Sequence, residues 1–248
     1  MRLDKFLADM GQGSRQEVKA RIKKGEVSVD GSVVKKPETQ VTEASEVRVS
    51  GQQIRYQKYH YYMLNKPAGV VSATQDPVEK TVLDLLPVAL RKGIAPVGRL
   101  DKDTVGLLLL TDDGELAHRL LSPRSHVDKV YLAGLDQEVT SRDIESFAQG
   151  ITLADGTLCK PAQLQKISRE EAQRLTGWEE AKLQEYQFAA VTISEGKYHQ
   201  VKRMAAACGK KVCFLKRLSM GSLTLDPALE EGSFRELTEE EREALGRL

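Results

Sequence analysis

The sequence predicts an α+β fold of two domains: a small basic domain of helices and a hairpin, then a larger domain with a mixed, largely antiparallel sheet flanked by helices. Three observations predict it. The chain has 248 residues, enough for two domains. Strand-like apolar runs outnumber helical patterns and do not alternate strictly with them, which argues against a doubly wound sheet. The composition changes near Tyr59, so the predicted domains are residues 1–57 and 59–248.

The first domain begins with two helices within residues 1–24. Apolar residues recur there at helical spacing, and Gly11-Gln12-Gly13 interrupts them. Ser14 and Glu17 have the spacing of a capping box, and Gly25 ends the second helix. Residues 27–33 alternate around Asp30-Gly31, which predicts a hairpin, and residues 47–49 form a further strand.

In the second domain, apolar runs predict strands at residues 61–67, 105–111, 130–133 and 188–193, with further strands near 212–215 and 222–225. Helices are predicted at residues 80–90, 115–121, 139–151 and 199–208. Residues 168–185 are charged and mostly helical, and we interpret them as a peripheral insertion.

Charge is unevenly distributed along the chain although the net charge is +1. Residues 1–36 and 195–217 are rich in lysine and arginine, whereas the C-terminal residues 226–243 are acidic. Two basic stretches on a nearly neutral protein indicate a polyanion held at defined places. The alternative for any one stretch is a solvated helix face.

The cysteine content and hydropathy indicate a reducing cytoplasm. Neither a signal peptide nor an apolar run long enough to span a bilayer is present, so no membrane partner is expected. Cys208 and Cys213 lie downstream of His199, but no second ligand pair completes a zinc site. We interpret these cysteines as packing residues.

Residues 98–111 place Asp101 beside an apolar run. A carboxylate at the edge of a core can act in nucleophilic or acid–base chemistry, although a charged turn before a buried strand has the same pattern. No P-loop, strand-linked GxGxxG, HExxH or GxSxG motif occurs. The pairs Asp101/Asp103 and Asp112/Asp113 could hold a divalent ion, as in nucleases, or could serve as caps and turns.

The N-terminal segment RLDKFLADMGQGSRQEVKARIKKGEVSVDGSVVKKP resembles an S4 RNA-binding domain (αL-type). In that family the basic helix and the hairpin lie along structured RNA. The resemblance implies RNA contacts by Arg2, Lys5, Arg15, Lys19, Lys23 and Lys24. Phosphate contacts of this kind fix position without reading sequence, so the domain would act as a docking module.

Three later segments resemble the pseudouridine synthases of the RsuA type. They are YYMLNKPAGVVS, then PVGRLDKDTVGLLLLTDDGELAHRLLSP followed by DKVY, and ISEGKYHQVKRMAAACG followed by LKRLSMGSL. The match covers nearly the whole chain and is weakest at residues 168–185 and in the acidic C-terminus. It implies that a uridine in RNA is flipped out of its stack, that its N1 glycosidic bond is cleaved, and that C5 is joined to the ribose.

The same resemblance implies the roles of the site residues. Asp101 would be the catalytic aspartate, as nucleophile or as base at the ribose. It must be ionised, and since burial disfavours the charged form, a cationic partner is required, which the resemblance identifies as Lys202. Tyr131 would stack on the target base or assist proton transfer, and Arg99 would fill the space that the flipped base vacates. Substrate RNA contacts are further implied for Asn65, Lys66 and Arg203.

The segments around Asp101 and Lys202 are more similar to the small-subunit (16S) enzymes, which implies uridine 516 of 16S ribosomal RNA as the target. We expect an assembly intermediate of the small subunit as partner, a monomer, and no metal or organic cofactor, because the base itself is both leaving group and nucleophile. Three alternatives stay open: a large-subunit (23S) synthase, a non-catalytic S4-type RNA-binding protein, and a metal-dependent nuclease that uses Asp101 and Asp103.

Overall fold

A computed structural model describes residues 1–42, 44–54, 58–122 and 124–246 of the chain. The chain separates into two compact units, Met1–Tyr59 and His60–Leu248. The predicted end of the first domain, at residue 57, lies outside the described residues, so that boundary stays a prediction.

The N-terminal unit contains two helices and a four-stranded antiparallel sheet among its described residues. Its elements are α1 (Leu3–Asp9), α2 (Arg15–Lys24), β1 (Val27–Val29), β2 (Ser32–Val33), β3 (Val47–Val49) and β4 (Gln52–Ile54), and the strand order is β2-β1-β3-β4. The apolar faces of both helices and of the sheet form one core. The sequence had not predicted β4.

Local signals set the boundaries of these elements as predicted. The Glu17 backbone N–H donates to Ser14 Oγ at 3.3 Å, and the Ser14 N–H donates to Glu17 Oε2 at 2.7 Å, which completes the capping box. Gly25 ends α2 in the left-handed region with φ of 81°. Asp30 and Gly31 have φ of 49° and 80°, as a two-residue hairpin turn of type I′ requires.

The second unit is built around a nine-stranded sheet, counted over its described residues. Its strands are β5 (Tyr61–Lys66), β6 (Ala95–Pro96), β7 (Val105–Thr111), β8 (Lys129–Leu135), β9 (Gln163–Lys166), β10 (Gln187–Ile193), β11 (Val212–Met220), β12 (Leu223–Thr224) and β13 (Phe234–Glu236). Its helices are α3 (Gly114–Leu121), α4 (Ser141–Gln149), α5 (Arg169–Thr176), α6 (Glu180–Leu183), α7 (Gln200–Ala207) and α8 (Glu239–Gly246).

The sheet is mixed and largely antiparallel, which confirms the predicted fold class. The strand order is β13-β5-β7-β11-β8-β10-β9, with β6 added to β7 and β12 to β11. Within the described strands of this sheet, β7 and β11 form the one parallel pair and the remaining pairs are antiparallel.

The central strand β7 explains the apolar run in the sequence. Leu108 and Leu110 point into the larger core on one face of the sheet, and Leu107 and Leu109 point into a second core on the other. Side chains of a strand alternate between faces, so a strand covered on both sides is apolar throughout. The segment that follows Asp101 is therefore anchored deep in the molecule.

The predicted helix over residues 80–90 is wrong. Two short 3₁₀ helices, Val82–Leu85 and Val88–Leu90, occupy this segment. Pro87 cannot donate the hydrogen bond that a continuous helix needs, and it drives the preceding Leu86 into extended backbone with ψ of 148°. The apolar spacing remains useful because Val82, Leu83 and Leu86 still pack into the larger core.

Other differences concern long-range pairing and burial. The strands predicted near 212–215 and 222–225 are the ends of a longer hairpin of β11 and β12, and β6, β9, β13 and α8 had not been predicted. Helices α5 and α6 do form within residues 168–185, and Ala172 and Leu183 pack on the sheet residues Leu132 and Phe188. Cys208 packs on the core, whereas Cys213 is exposed, so the packing interpretation is wrong for Cys213.

Across the parts of the chain that the structure describes, every helix is too short or too polar to cross a membrane.

Candidate active site

Residues 98–104 form the loop between β6 and β7, and two hydrogen bonds at Ser72 hold it just before Asp101. The Leu100 N–H donates to Ser72 Oγ at 3.0 Å, and the Ser72 hydroxyl donates to the Leu100 carbonyl at 2.9 Å. The Thr104 N–H donates to the Asp101 carbonyl at 3.1 Å, which closes a turn over residues 101–104. These hydrogen bonds fix the main chain at Asp101 independently of the contacts that its side chain makes.

Gly106 lets β7 approach β11 at the end of this loop. Its φ is +98°, and a Cβ atom at this position would lie 2.3 Å from the carbonyl oxygen of Arg217. The buried guanidinium of Arg217 then reaches across and donates from Nε to the Leu107 carbonyl at 2.7 Å. A glycine is required here because any side chain would push the two parallel strands apart.

The Asp101 carboxylate lies next to two cationic or titratable side chains that arrive from α7 and the residue before it. Lys202 Nζ is 2.9 Å from Asp101 Oδ2, and His199 Nε2 is 3.4 Å from Asp101 Oδ1. The Asp101 side chain is one quarter exposed. The carboxylate is thus partly withdrawn from water, next to an ammonium, and still accessible from the pocket described below.

Lys202 also binds a second carboxylate. Its Nζ is 2.6 Å from Asp103 Oδ1, and the Asp103 side chain is 73% exposed. Partial burial opposes the charge of Lys202, but the hydrogen bonds to Asp103 and Asp101 outweigh it, so the pKa of Lys202 lies above its usual value. An ammonium therefore occupies the space between the two aspartates, where a divalent ion would have to bind.

A pocket opens above this carboxylate. Its polar lining comes from Arg99, Asp101, Thr104, Tyr131, Lys197, His199, Gln200 and Lys202, and its apolar lining comes from Leu100, Ile193, Val201 and Leu215. The combination of an apolar wall with a few convergent polar groups is typical of sites for small planar groups. The structure thus brings Tyr131 and Lys202 next to Arg99 and Asp101, from which both are far apart in sequence.

Tyr131 lies in the middle of β8, between Val191 of β10 and Arg217 of β11. The residue is 7% exposed; it belongs to the larger core and also lines the pocket. Among the described residues its hydroxyl has no hydrogen-bond partner. A ring fixed in this way can stack on a planar group and can present a hydroxyl to it.

Arg99 is exposed at the edge of the pocket. Its guanidinium makes no hydrogen bond or ion pair with any residue that the structure describes. A planar cation without a protein partner is available for stacking or for a phosphate.

The three other predicted contact residues lie elsewhere. Asn65 is buried, and its Nδ2 donates to the Leu229 carbonyl at 2.8 Å. Arg203 forms an ion pair with Asp155 at 2.5 Å. Lys66 is fully buried beneath the loop that carries Asp101. None of the three lines the pocket, so the predicted substrate wall at Asn65 and Lys66 is not formed by the structure; both side chains serve internal hydrogen bonds instead.

Lys66 joins two neighbouring segments. Its ammonium donates to the carbonyl oxygens of Pro67 at 3.0 Å, Lys102 at 3.3 Å and Thr104 at 2.9 Å. Burial lowers the pKa of Lys66 to about 8, although the negative charges of Asp103 and Asp101 oppose the shift. The Lys66 ammonium thus stabilises the loop of residues 98–104 by binding two of its carbonyl oxygens.

This lowered pKa predicts how stability depends on pH. Between about pH 8 and pH 10.5 the folded chain has released the Lys66 proton while the unfolded chain still binds it. Relative to Lys66→Met, the parent is therefore expected to gain free energy of unfolding across this window, by up to about 3 kcal/mol. Urea denaturation of both proteins from pH 7 to 10.5 measures this difference. A difference that is independent of pH would contradict the assignment.

His199 is a pocket residue that the sequence analysis missed as a site residue. It precedes α7 and has left-handed backbone, with φ of 48° and ψ of 36°. Its position one turn before Lys202 was the available signal, but histidine next to a helix start is common. A non-glycine residue in this conformation next to a pocket is a marker of function that only coordinates reveal.

The loop before α7 is held by a partly buried polar network around Glu195. Gln200 Nε2 donates to Glu195 Oε1 at 2.7 Å, and the Lys160 N–H donates to the same oxygen at 2.9 Å. The Lys197 N–H donates to Gln200 Oε1 at 2.9 Å, and the Lys197 ammonium pairs with Glu195. His199 and Lys202 are therefore presented from a rigid segment.

The N-terminal unit carries a set of exposed basic side chains. All six predicted RNA contacts are exposed: Arg2, Lys5, Arg15, Lys19, Lys23 and Lys24. Arg2 and Lys19 share the buried Asp4, at 3.0 Å and 3.8 Å. The other four have no ion pair with any described residue, so their charges are available to an external polyanion.

Comparison with known proteins finds a matching family for each of the two units. Residues 60–207 match the family described as RNA pseudouridylate synthase, and residues 1–47 match the S4 domain. The chain is 47% identical over 243 residues to a Bacillus subtilis protein named uncharacterized RNA pseudouridine synthase YtzG, covering 97% of this chain and 96% of the relative.

Two further relatives extend the likeness. The chain is 40% identical over 243 residues to ribosomal small subunit pseudouridine synthase A of Escherichia coli, covering 97% of this chain and 98% of that one. A solved structure described as a pseudouridylate synthase superimposes with a TM-score of 0.66 at 36% identity, over 99% of both chains. With an S4 domain at its N-terminus and the synthase domain behind it, this chain belongs to the RNA pseudouridine synthase family.

Proposed function

We propose that this pseudouridine synthase converts uridine 516 of 16S ribosomal RNA to pseudouridine, with Asp101 as the essential carboxylate. The observation that carries the proposal is the pocket in which the Asp101 carboxylate, the Lys202 ammonium and the Tyr131 ring meet. The choice of RNA is supported by the relatives named ribosomal small subunit pseudouridine synthase A, at 40–42% identity over nearly the full chain.

The proposed reaction changes one bond of the nucleoside. The bond from ribose C1′ to uracil N1 breaks, the base turns within the pocket, and C1′ bonds to C5. The proton lost from C5 is balanced by the proton taken up at N1, so the composition of the RNA does not change. Asp101 acts either by attack on the ribose or by removing a ribose proton; both routes require the ionised carboxylate that Lys202 stabilises.

The remaining residues of the pocket have supporting roles in this proposal. Extrusion of the uridine from its stack costs a few kcal/mol, and the unpaired guanidinium of Arg99 would compensate by stacking in the vacated space. Tyr131 would hold the free uracil by stacking while it turns, or would carry the proton between C5 and N1. The base leaves and returns within one pocket, so the proposed reaction uses no metal or organic cofactor.

The proposal is tested on unmodified RNA. The protein is incubated with 16S and 23S ribosomal RNA, naked and bound to ribosomal proteins, and carbodiimide-dependent reverse-transcription stops are mapped. We expect one new stop at uridine 516 of 16S RNA, strongest in the protein-bound RNA, and no change when EDTA is added. A stop only in 23S RNA would overturn the target, and no stop in either RNA would overturn the activity. Strand cleavage that EDTA prevents would instead favour the nuclease alternative.

The geometry at Asp101 already favours the synthase over that nuclease. Asp101 and Asp103 share the Lys202 ammonium at 2.9 Å and 2.6 Å, so their charges are satisfied without a metal ion. A non-catalytic RNA-binding protein has no use for a carboxylate and an ammonium held together inside a pocket.

We further propose that residues 1–57 dock the RNA and that the protein acts as a monomer. In the variant carrying Arg15→Gln, Lys23→Gln and Lys24→Gln, three exposed charges without ion pairs are lost. The slope of log binding constant against log salt concentration should become shallower by about 2 to 3 units, since each phosphate contact contributes roughly 0.7 to 0.9. Filter binding at several salt concentrations measures it, and light scattering checks the monomer.

A matched control uses three exposed cations of the insertion, Arg169→Gln, Arg174→Gln and Lys182→Gln. This variant loses the same charge but should keep the parent's salt slope. Equal effects of the two variants would mean that the protein attracts RNA by its total charge and that the N-terminal unit has no special role.

A further inference from the structure

Tyr198 is a large aromatic side chain that the structure leaves in solvent at the edge of the active-site pocket. Its exposed fraction is 76%, although the neighbouring residues of the pocket are mostly covered. One face of its ring stacks on the imidazole of His199, with ring centroids 3.9 Å apart and an interplanar angle of 17°. His199 in turn reaches Asp101 at 3.4 Å. The stacked rings of His199 and Tyr198 therefore extend from the Asp101 carboxylate to the protein surface.

The backbone holds this ring pair in place. His199 has left-handed backbone, which histidine adopts at a cost, and Arg203 Nη1 donates to the Tyr198 carbonyl at 3.4 Å. The network around Glu195 fixes the residues just before the pair. The exposed ring is thus pre-organised, so little conformational entropy is lost when a planar ligand binds its outer face.

The chemistry of the surroundings selects the ligand. The outer face of Tyr198 is a flat π surface, and the cations Arg99 and Lys197 line the adjacent pocket. A flat apolar group carried on a polyanion fits this combination, and bases of single-stranded RNA are recognised by stacking on aromatic rings. Once a uridine leaves its stack, the neighbouring base loses a stacking partner, which an exposed ring can replace.

Resting on the proposed function, we propose that the outer face of Tyr198 is a binding site for the nucleobase directly next to the flipped uridine. The Tyr198–His199 pair would then separate the two bases, with the target held in the pocket beside Asp101 and its neighbour stacked outside. Tyr198 acts here on RNA binding and not in the bond-changing steps.

Three variants test this site. Tyr198→Ala removes the ring, Tyr198→Phe keeps the π face without the hydroxyl, and Tyr198→Leu keeps apolar bulk without the π face. We expect Tyr198→Ala to raise KM for the RNA by about 5- to 150-fold, equivalent to roughly 1–3 kcal/mol for a stacked base. Tyr198→Phe should remain within about 2-fold of the parent, and Tyr198→Leu should fall between. The maximal rate at saturating RNA and the salt dependence should be retained.

A direct readout uses RNA with 2-aminopurine on either side of the target uridine. Stacking on the tyrosine changes its fluorescence, so the parent and Tyr198→Phe should alter the signal at one of the two positions and Tyr198→Ala should not. This measurement needs only binding, so it reports on the stacking site even if no pseudouridine forms and the proposed function fails.

Two results would overturn the inference while leaving the proposed function intact. If Tyr198→Ala lowers the maximal rate and leaves KM unchanged, the ring positions His199 beside Asp101 and does not bind a base. If Tyr198→Ala changes neither KM nor the 2-aminopurine signal, the ring is an ordinary surface residue.

Discussion

Replacement of Asp101 by asparagine is expected to abolish pseudouridine formation while the fold and RNA binding are retained. The amide has the shape of the carboxylate but can neither attack the ribose nor accept a proton from it. Since a positioned acid–base group contributes about 10²- to 10⁴-fold and a nucleophile typically more, the rate should fall by at least on the order of 10³-fold. Single-turnover formation of pseudouridine, with thermal unfolding of the same sample, measures both parts of the expectation.

Asp103→Asn is the matched control for this variant. Asp103 also binds Lys202, but its side chain is 73% exposed and is not part of the pocket lining. We expect this variant to keep most of the parent's rate, because Lys202 retains its bond to Asp101. If Asp103→Asn were inactive and Asp101→Asn active, Asp103 and not Asp101 would be the essential carboxylate. That result would overturn the proposed mechanism.

Loss of the Lys202 charge should produce the second largest effect. In Lys202→Met the Asp101 carboxylate keeps His199, at 3.4 Å, as its remaining ion-pair partner among the described residues. A hydrogen bond to a charged group contributes about 1.5–3 kcal/mol, so kcat/KM near neutral pH should fall roughly 10- to 150-fold. The carboxylate is the reacting group, and the ammonium both stabilises its negative charge and holds it in place at 2.9 Å. Steady-state kinetics of pseudouridine formation measures the loss.

Two further variants separate this electrostatic role from a structural one. Lys202→Arg retains the charge and should recover much of the kcat/KM that Lys202→Met loses. Arg203→Met, one residue along the helix, removes a cation that pairs with Asp155 and not with Asp101, so its maximal rate should stay close to that of the parent. A Lys202→Arg enzyme as impaired as Lys202→Met would indicate that the lysine only shapes the pocket.

Most of the elements were predictable because their signals are local. The Ser14–Glu17 capping box, the Asp30-Gly31 turn and the strand that ends before Pro67 each depend on residues within a few positions of one another. The helix predicted over residues 80–90 does not form for a local reason too, because Pro87 interrupts the segment although its apolar residues have helical spacing. Strands β9 and β13 carried no such signal, since their partners β10 and β5 are distant in sequence.

The candidate site was predicted unevenly. Asp101, Tyr131, Lys202 and Arg99 came from the resemblance and the structure places all four around one pocket. Asn65 and Lys66 came from the same resemblance. In the structure, however, the Asn65 amide donates to the Leu229 carbonyl, and the Lys66 side chain is buried beneath the loop that carries Asp101. A motif places a residue near a site, but it does not specify whether the side chain faces the ligand or the protein.

The sequence alone determined most of the helices and strands and, through its motifs, the family, because caps, turns, apolar periodicity and motifs lie in short stretches of chain. The resemblance named Lys202 as the partner of Asp101, which the structure places 2.9 Å apart, but only the tertiary structure showed that Lys66 lies beneath the same loop and that His199 and Tyr198 stack at the pocket edge. The contacts of Lys202 and Lys66 join segments that lie far apart in the chain. Their geometry follows from how strands β7, β8 and β11 pair and pack, which no local pattern contains.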